Sequence, residues 1–255
     1  MAKFWRGHPT GESTDLRHNH SHLSFMDIFE MPTEPRITRV WDLPTRIFHW
    51  SLALCVVGLF ITGKIGGDAM LWHSRLGYAV GTLLLFRVTW GLVGGHWSRF
   101  RSFIYSPRTV VAYLRGTAGK DVSVGHSPLG AGSVFALLGF LIAQVATGLF
   151  SDDRADFTGP LNVLVSNQTA KVLTAYHKEF GEVILIGLVL LHLAAVAFYQ
   201  LRKKQNLVGP MWHGDKALDF GATASRDDAK SRIVAVVVLG LCAAAVAWLV
   251  SLGNA

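Results

Sequence analysis

Beyond about residue 40 the chain is a series of long apolar runs separated by short charged segments. Five runs are long enough to cross a hydrocarbon core about 30 Å thick, which takes about 20 helical residues. They predict helices at residues 44–62, 71–93, 129–150, 179–198 and 233–252. The last contains AVVVLGLCAAAVAWLV, a stretch without a single carboxylate or base. Asp42 ahead of Leu43-Pro44 offers an N-cap followed by an early proline, and Ser127-Pro128 repeats the pattern before the third helix. Gly63, Gly66 and Gly67 are expected to end the first helix, and Gly94 and Gly95 the second. Trp72, Trp90, Trp97, Tyr105, Tyr176 and Tyr199 fall near the expected membrane interfaces, where amphipathic rings are favoured. Residues 107–115 (PRTVVAYLR) are too short to span and are expected to lie along the cytoplasmic surface.

Composition supports the same picture. Of 255 residues, 51% are hydrophobic and 16% charged, against about 25% charged in soluble domains. The pattern predicts an all-α integral membrane bundle. A net charge of +7 would point to nucleic acid in a soluble protein. Here the cations concentrate in alternate loops: Arg36, Arg39 and Arg46, then Arg99, Arg101, Arg108, Arg115 and Lys120, then Arg202, Lys203, Lys204 and Lys216. Cytoplasmic loops account for them, so no nucleic-acid partner is expected and membrane lipid is the surrounding medium. The positive-inside rule places the N-terminus in the cytoplasm and, after five crossings, the C-terminus outside.

Residues 1–35 are polar, are read as a disordered cytoplasmic tail, and lack the apolar core of a secretory signal. The first membrane helix is therefore expected to direct its own insertion, and Met26 or Met31 are alternative starts. His18, His20 and His22 (HNHSH) suit metal binding by composition, or simply belong to the tail.

Histidine inside a membrane helix is costly and calls for a partner. Of eleven histidines, four lie in or at the ends of apolar helices at matching depths. His49 is near the cytoplasmic end of the first helix, and His73 is at the outer start of the second. His177 opens the fourth helix at the outer side, and His192 lies deeper in it. Depth pairs His49 with His192 and His73 with His177. Fifteen residues separate His177 from His192, which on an α-helix leaves them about 60° apart in azimuth and roughly 22 Å apart along the axis. That is room for two stacked haems, each held by two axial imidazoles, a saturated arrangement suited to electron transfer rather than oxygen binding. Each histidine at a helix end has an alternative reading as an interfacial residue. The two cysteines, Cys55 and Cys242, sit in apolar runs and read as small buried hydrophobes; no C-x-x-C-H offers covalent attachment, so haem would be held by coordination alone.

VWDLPTRIFHW, LWHSRLGYAVGTLLLFRVTWGLVG, GHSPLG with its downstream QVATGLF, and HKEFGEVILIGLVLLHLAAV followed by KKQNLV together resemble the bacterial cytochrome b561 family. That family also takes in the b-type cytochrome subunits of nickel-iron hydrogenases. The resemblance covers about residues 39–216 and places the family's ligand histidines on His49, His73, His177 and His192. It implies a four-helix membrane domain over 36–216 binding two b haems, with a linker and a fifth transmembrane helix over 217–255. It further implies a multi-pass protein of the bacterial inner membrane. Electrons would pass between the quinone pool and a redox partner at the outer face, such as a c-type cytochrome or a hydrogenase. The alternative within the family is a quinone-linked oxidase of a small molecule such as superoxide. The resemblance leaves open whether the chain is a carrier or an enzyme, whether it forms a homodimer, and whether the fifth helix docks a partner or only anchors.

Other polar residues carry paired readings. Arg87 lies fourteen residues after His73, about 40° away in azimuth and roughly 21 Å deeper; it would offset a propionate of the inner haem or snorkel to the interface. Gln144 in the third helix would approach a haem or quinone, or bond another helix. His126, in GHSPLG, has no histidine left to pair with and reads as interfacial or supporting, as His96 and His213 read as loop residues. The acidic loop with Asp152, Asp153 and Asp156 would dock a basic cytochrome or serve only as a solvated connection.

Overall fold

The computed structural model describes residues 35–154 and 157–254. The expectations for the N-terminal tail, for His18, His20 and His22, and for Asp156 concern residues outside these. The unit that begins at Pro35 contains, in chain order, β1 (Arg36–Arg39), α1 (Leu43–Ile65), α2 (Ala69–Val93), α3 (Pro107–Leu114), α4 (Pro128–Leu149), α5 (Asn167–Ala175), a π-helical turn (Tyr176–Gly181), α6 (Glu182–Leu201), α7 (Val208–His213), β2 (Asp215–Leu218) and α8 (Ala229–Ser251).

Among the described residues, five helical segments are long and apolar enough to cross a membrane: α1, α2, one ending with α4, one running through α5 and α6, and α8. Local chemistry explains the ends. Asp42 accepts a hydrogen bond from Thr45 N at 2.9 Å with Pro44 in the first turn, and Ser127 caps α4 by accepting from Gly130 N at 3.2 Å. α1 does not stop at Gly63; it continues to Ile65 and is ended by Gly66, whose φ of 67° is left-handed. Residues 107–114 do fold as a short helix, tied to the end of α6 by a 2.7 Å hydrogen bond between the Tyr113 and Tyr199 hydroxyls.

The fourth spanning segment differs most from expectation. It is helical from Asn167 to Leu201 rather than from residue 179, and His177 lies inside it instead of opening it. The polar run NQTAKVLTAYHKE hides this extension because it carries no apolar signature, yet Ser166 caps it through Thr169 N at 3.2 Å. The π turn inserts one extra residue into the helix between His177 and His192, so the azimuth computed for an unbroken α-helix does not apply.

Packing sets α2 at the centre. Of its most apolar window, 33% is buried, against 11% in each of the other four segments. α1 and α8 both lie against α2, and α4 contacts both α2 and α6. One core joins Phe48 and Val56 of α1, Val80, Leu84, Phe86 and Trp90 of α2, Leu138 and Leu141 of α4, Leu185 of α6, and Ala235 and Cys242 of α8. Outward-facing residues such as Leu54, Leu190, Leu191, Val236 and Leu241 remain exposed, the pattern of a bundle solvated by lipid.

At the end where α1 starts, a two-stranded antiparallel ribbon pairs β1 with β2, Arg36 opposite Leu218 and Arg39 opposite Asp215. Val40, Trp41, Val124 and Leu218 form a second small core beside it. Asp42, with no exposed surface, is the hub. Besides capping α1, it accepts from Gly95 N at 2.9 Å, Ser98 Oγ at 2.8 Å and Trp90 Nε1 at 3.2 Å. Trp90 is thus a buried donor to a carboxyl group, not the interfacial ring its position implied. Thr45 Oγ1 and Ser98 Oγ share a further 2.7 Å hydrogen bond.

Candidate cofactor sites

Two histidine pairs assemble, one toward each end of the bundle, matching the pairing expected from depth. His49 of α1 faces His192 of α6 with ring centroids 6.5 Å apart and planes at 52°. His73 of α2 faces His177 of the π turn at 6.1 Å and 88°.

Each ring is held. His73 Nδ1 lies 3.1 Å from the Leu59 carbonyl, and His177 Nδ1 lies 2.9 Å from the Gln144 carbonyl. A carbonyl only accepts, so each Nδ1 carries the proton and each Nε2 keeps its lone pair. Glycines make the room. A Cβ on Gly63 would stand 3.2 Å from the His73 ring, and one on Gly148 would stand 2.9 Å from the His177 ring. Gly63, which the sequence offered as a helix terminator, is instead a seat for a histidine. On the other pair, Trp50 sets its edge against His49 at 5.1 Å, and the buried His49 Nδ1 has no hydrogen-bond partner.

The spacing can be tested against ligation. A metal–imidazole nitrogen bond is about 2.0–2.1 Å, and about 1.1 Å more separates that nitrogen from the ring centre. Two imidazoles on opposite sides of one metal therefore have centroids about 6.3 Å apart, between the two observed values. Among the described residues there is no cluster of three or more His, Cys, Asp or Glu side chains fit for a metal. Pairs alone suit a metal whose remaining ligands come from a macrocycle.

His73 and His177 border a cavity of about 380 Å³ that also touches Gly63, Gly148, Gln144, Lys64 and Glu182. Lys64 Nζ and Glu182 Oε1 form an ion pair at 2.5 Å across it, between α1 and α6. Neither residue stood out in the sequence. Gln144 bonds another helix, donating from Nε2 to the His177 carbonyl at 2.7 Å, and lines the same cavity.

Arg87 is 3% exposed and does not snorkel to the surface. Its Nη1 donates to the Ser98 carbonyl at 3.0 Å, and its guanidinium lies 4.8 Å from the Phe100 ring centre. His126 packs between Trp41 and Phe103 at 4.6 and 4.4 Å, with its Nδ1 buried and unpartnered. It lies within Coulombic reach of Arg87, His49 and His192, so those residues share one end of the bundle. In the acidic loop, Asp152 Oδ1 accepts from Arg154 N at 2.8 Å and Asp153 Oδ1 from Phe157 N at 3.0 Å. Those two carboxylates hold their own turn.

The bundle of membrane-spanning helices thus brings one imidazole pair together toward each of its ends. The chain belongs to the prokaryotic cytochrome b561 family, whose model matches residues 40–214. It is accordingly a b-type haem protein of a membrane electron-transfer family. A probable Ni/Fe-hydrogenase B-type cytochrome subunit of Azotobacter vinelandii is 26% identical over 221 residues, covering 69% of this chain and 86% of that protein. One from Bradyrhizobium diazoefficiens is 23% identical over 215 residues, covering 69% and 85%. A probable Ni/Fe-hydrogenase 1 B-type cytochrome subunit of Escherichia coli K12 is 25% identical over 138 residues, covering 43% and 57%. No solved structure matches.

Proposed function

We propose that the chain is a dihaem cytochrome, with one haem b held by His49 and His192 and the other by His73 and His177, and that it carries electrons between the quinone pool and a redox partner at the outer face. The observation that carries this reading is the pair of imidazole spacings, 6.5 and 6.1 Å, at two depths of one bundle. Bound haem would supply one-electron iron chemistry, with His49 and His192 holding one group and His73 and His177 the other. The protein's share is to hold, orient and insulate. His73 and His177 present Nε2 because Leu59 and Gln144 occupy their Nδ1 protons. Arg87 places a buried cation at the His49–His192 end, where it would offset a propionate. The apolar core between the pairs excludes water from the path.

The cation-rich loops support a cytoplasmic N-terminus and an inner-membrane location, which makes His73–His177 the outer pair. The relatives' names point to a nickel-iron hydrogenase as the class of partner. A c-type cytochrome is the alternative donor or acceptor. A second reading, oxidation of a small anion such as superoxide at the outer pair, draws on the exposed Lys64 beside the outer cavity.

Purified protein reconstituted into quinone-containing vesicles separates the readings. A carrier reduces quinone only when a reduced protein donor is supplied. An oxidase does so with superoxide alone. If neither reduces it, electron transfer to quinone is wrong.

A further inference from the structure

α4 carries no histidine in either pair, yet one of its residues grips His177 twice. The Gln144 carbonyl takes the His177 Nδ1 proton at 2.9 Å, and the Gln144 side chain donates Nε2 to the His177 carbonyl at 2.7 Å. The second contact falls where the helix is irregular. His177 lies in the π turn Tyr176–Gly181, which shifts the backbone hydrogen-bond pattern away from the α register. Gly181 completes the fit, because a Cβ there would stand only 2.0 Å from Gln144 Oε1. The buried Oε1 itself has no partner, so Gln144 remains in a polar position in an apolar helix for the sake of its donor. The pair it serves is also the one with orthogonal planes, 88° against 52° at His49–His192.

We propose that Gln144 is a positioning residue that locks the His177 imidazole at right angles to His73 and thereby sets the ligand field of the outer haem from a helix that supplies no ligand. The inference rests on the two-haem reading above. Orthogonal axial imidazoles leave two iron d orbitals nearly equal in energy, so orbital angular momentum survives and the oxidised low-spin iron gives a strongly anisotropic electron paramagnetic resonance signal. Planes closer to parallel split those orbitals and narrow the signal. The protein therefore carries a readout of ring angle that does not depend on turnover.

Two substitutions reach the same lever from opposite sides. Gln144→Leu removes the donor at similar volume. Gly181→Ala leaves Gln144 in place but drives its amide off the His177 carbonyl. Spectra of the oxidised, full-length holoprotein should show one strongly anisotropic and one narrower low-spin signal. In each variant both haems should be retained and the anisotropic signal alone should narrow, with a shift in the reduction potential of that haem only. Unchanged signals in both variants overturn the proposal. So does a shift in both haems alike, which would mark Gln144 as general packing. A wild-type protein lacking the anisotropic signal and its haem would instead sink the two-haem reading itself.

Discussion

His73 and His177 face each other with ring centres 6.1 Å apart and planes at 88°, although one belongs to the second turn of α2 and the other to a π turn between α5 and α6. Neither local sequence shows this. Four helical segments meet to build the pair, since Leu59 of α1 fixes one ring and Gln144 of α4 the other.

Replacing His73 or His177 with Ala should remove one haem from the chain and leave the other spectrally intact. Replacing His49 or His192 should do the converse, because the two pairs share no side chain. Haem-to-protein stoichiometry of the four variants, with low-temperature spectra of the remaining haem, checks this. A variant that loses both haems while staying folded would contradict independent sites.

Gly148→Val should act like a ligand change without touching a ligand. The new Cβ alone would lie 2.9 Å from the His177 ring, tighter than ordinary van der Waals contact, and α4 cannot yield without disturbing the core at Leu141. Overpacking of this kind costs about 1–3 kcal/mol. The outer haem should bind more weakly or be lost, and the inner should be unaffected. Gly139, with open space around it, is the control: Gly139→Ala should leave both sites unchanged.

Asp42→Ala should destabilise the whole ribbon end. It strands the buried donors Trp90 Nε1, Gly95 N and Ser98 Oγ and uncaps α1. A buried donor left without its partner costs about 1–3 kcal/mol, visible as a lower melting temperature of the detergent-solubilised protein. Asp42→Asn keeps an acceptor and should cost less.

Arg87→Leu should shift the potential of the inner haem downward, because a removed cation no longer favours the electron. The outer haem should not move. Redox titration resolved at the two haems reads it, and an unmoved inner potential would remove the proposed propionate contact and leave Arg87 as a tie between α2 and Ser98.

The spans, their caps at Asp42 and Ser127 and the two histidine pairs were legible because hydropathy and depth along a helix are one-dimensional quantities. Contacts that depend on three-dimensional approach were not. Asp42 read as a cap and is the hub of a buried network; Trp90 read as interfacial and is buried against it. Gly63 read as a stop because glycine's lack of a side chain serves helix ends and close ring contacts alike. The Gln144 grip had one visible signal, an amide in an apolar helix, but nothing in the chain pointed to its partner. The π turn was hidden because its hydrogen-bond register leaves no compositional trace.

We propose two haem b groups in one chain, each between two imidazoles. Absorption spectra of the purified protein before and after dithionite, combined with pyridine haemochrome quantitation, test it most directly. Sharp low-spin b-type bands and about two haems per chain are expected. One haem per chain, a high-spin spectrum or a colourless protein would contradict it.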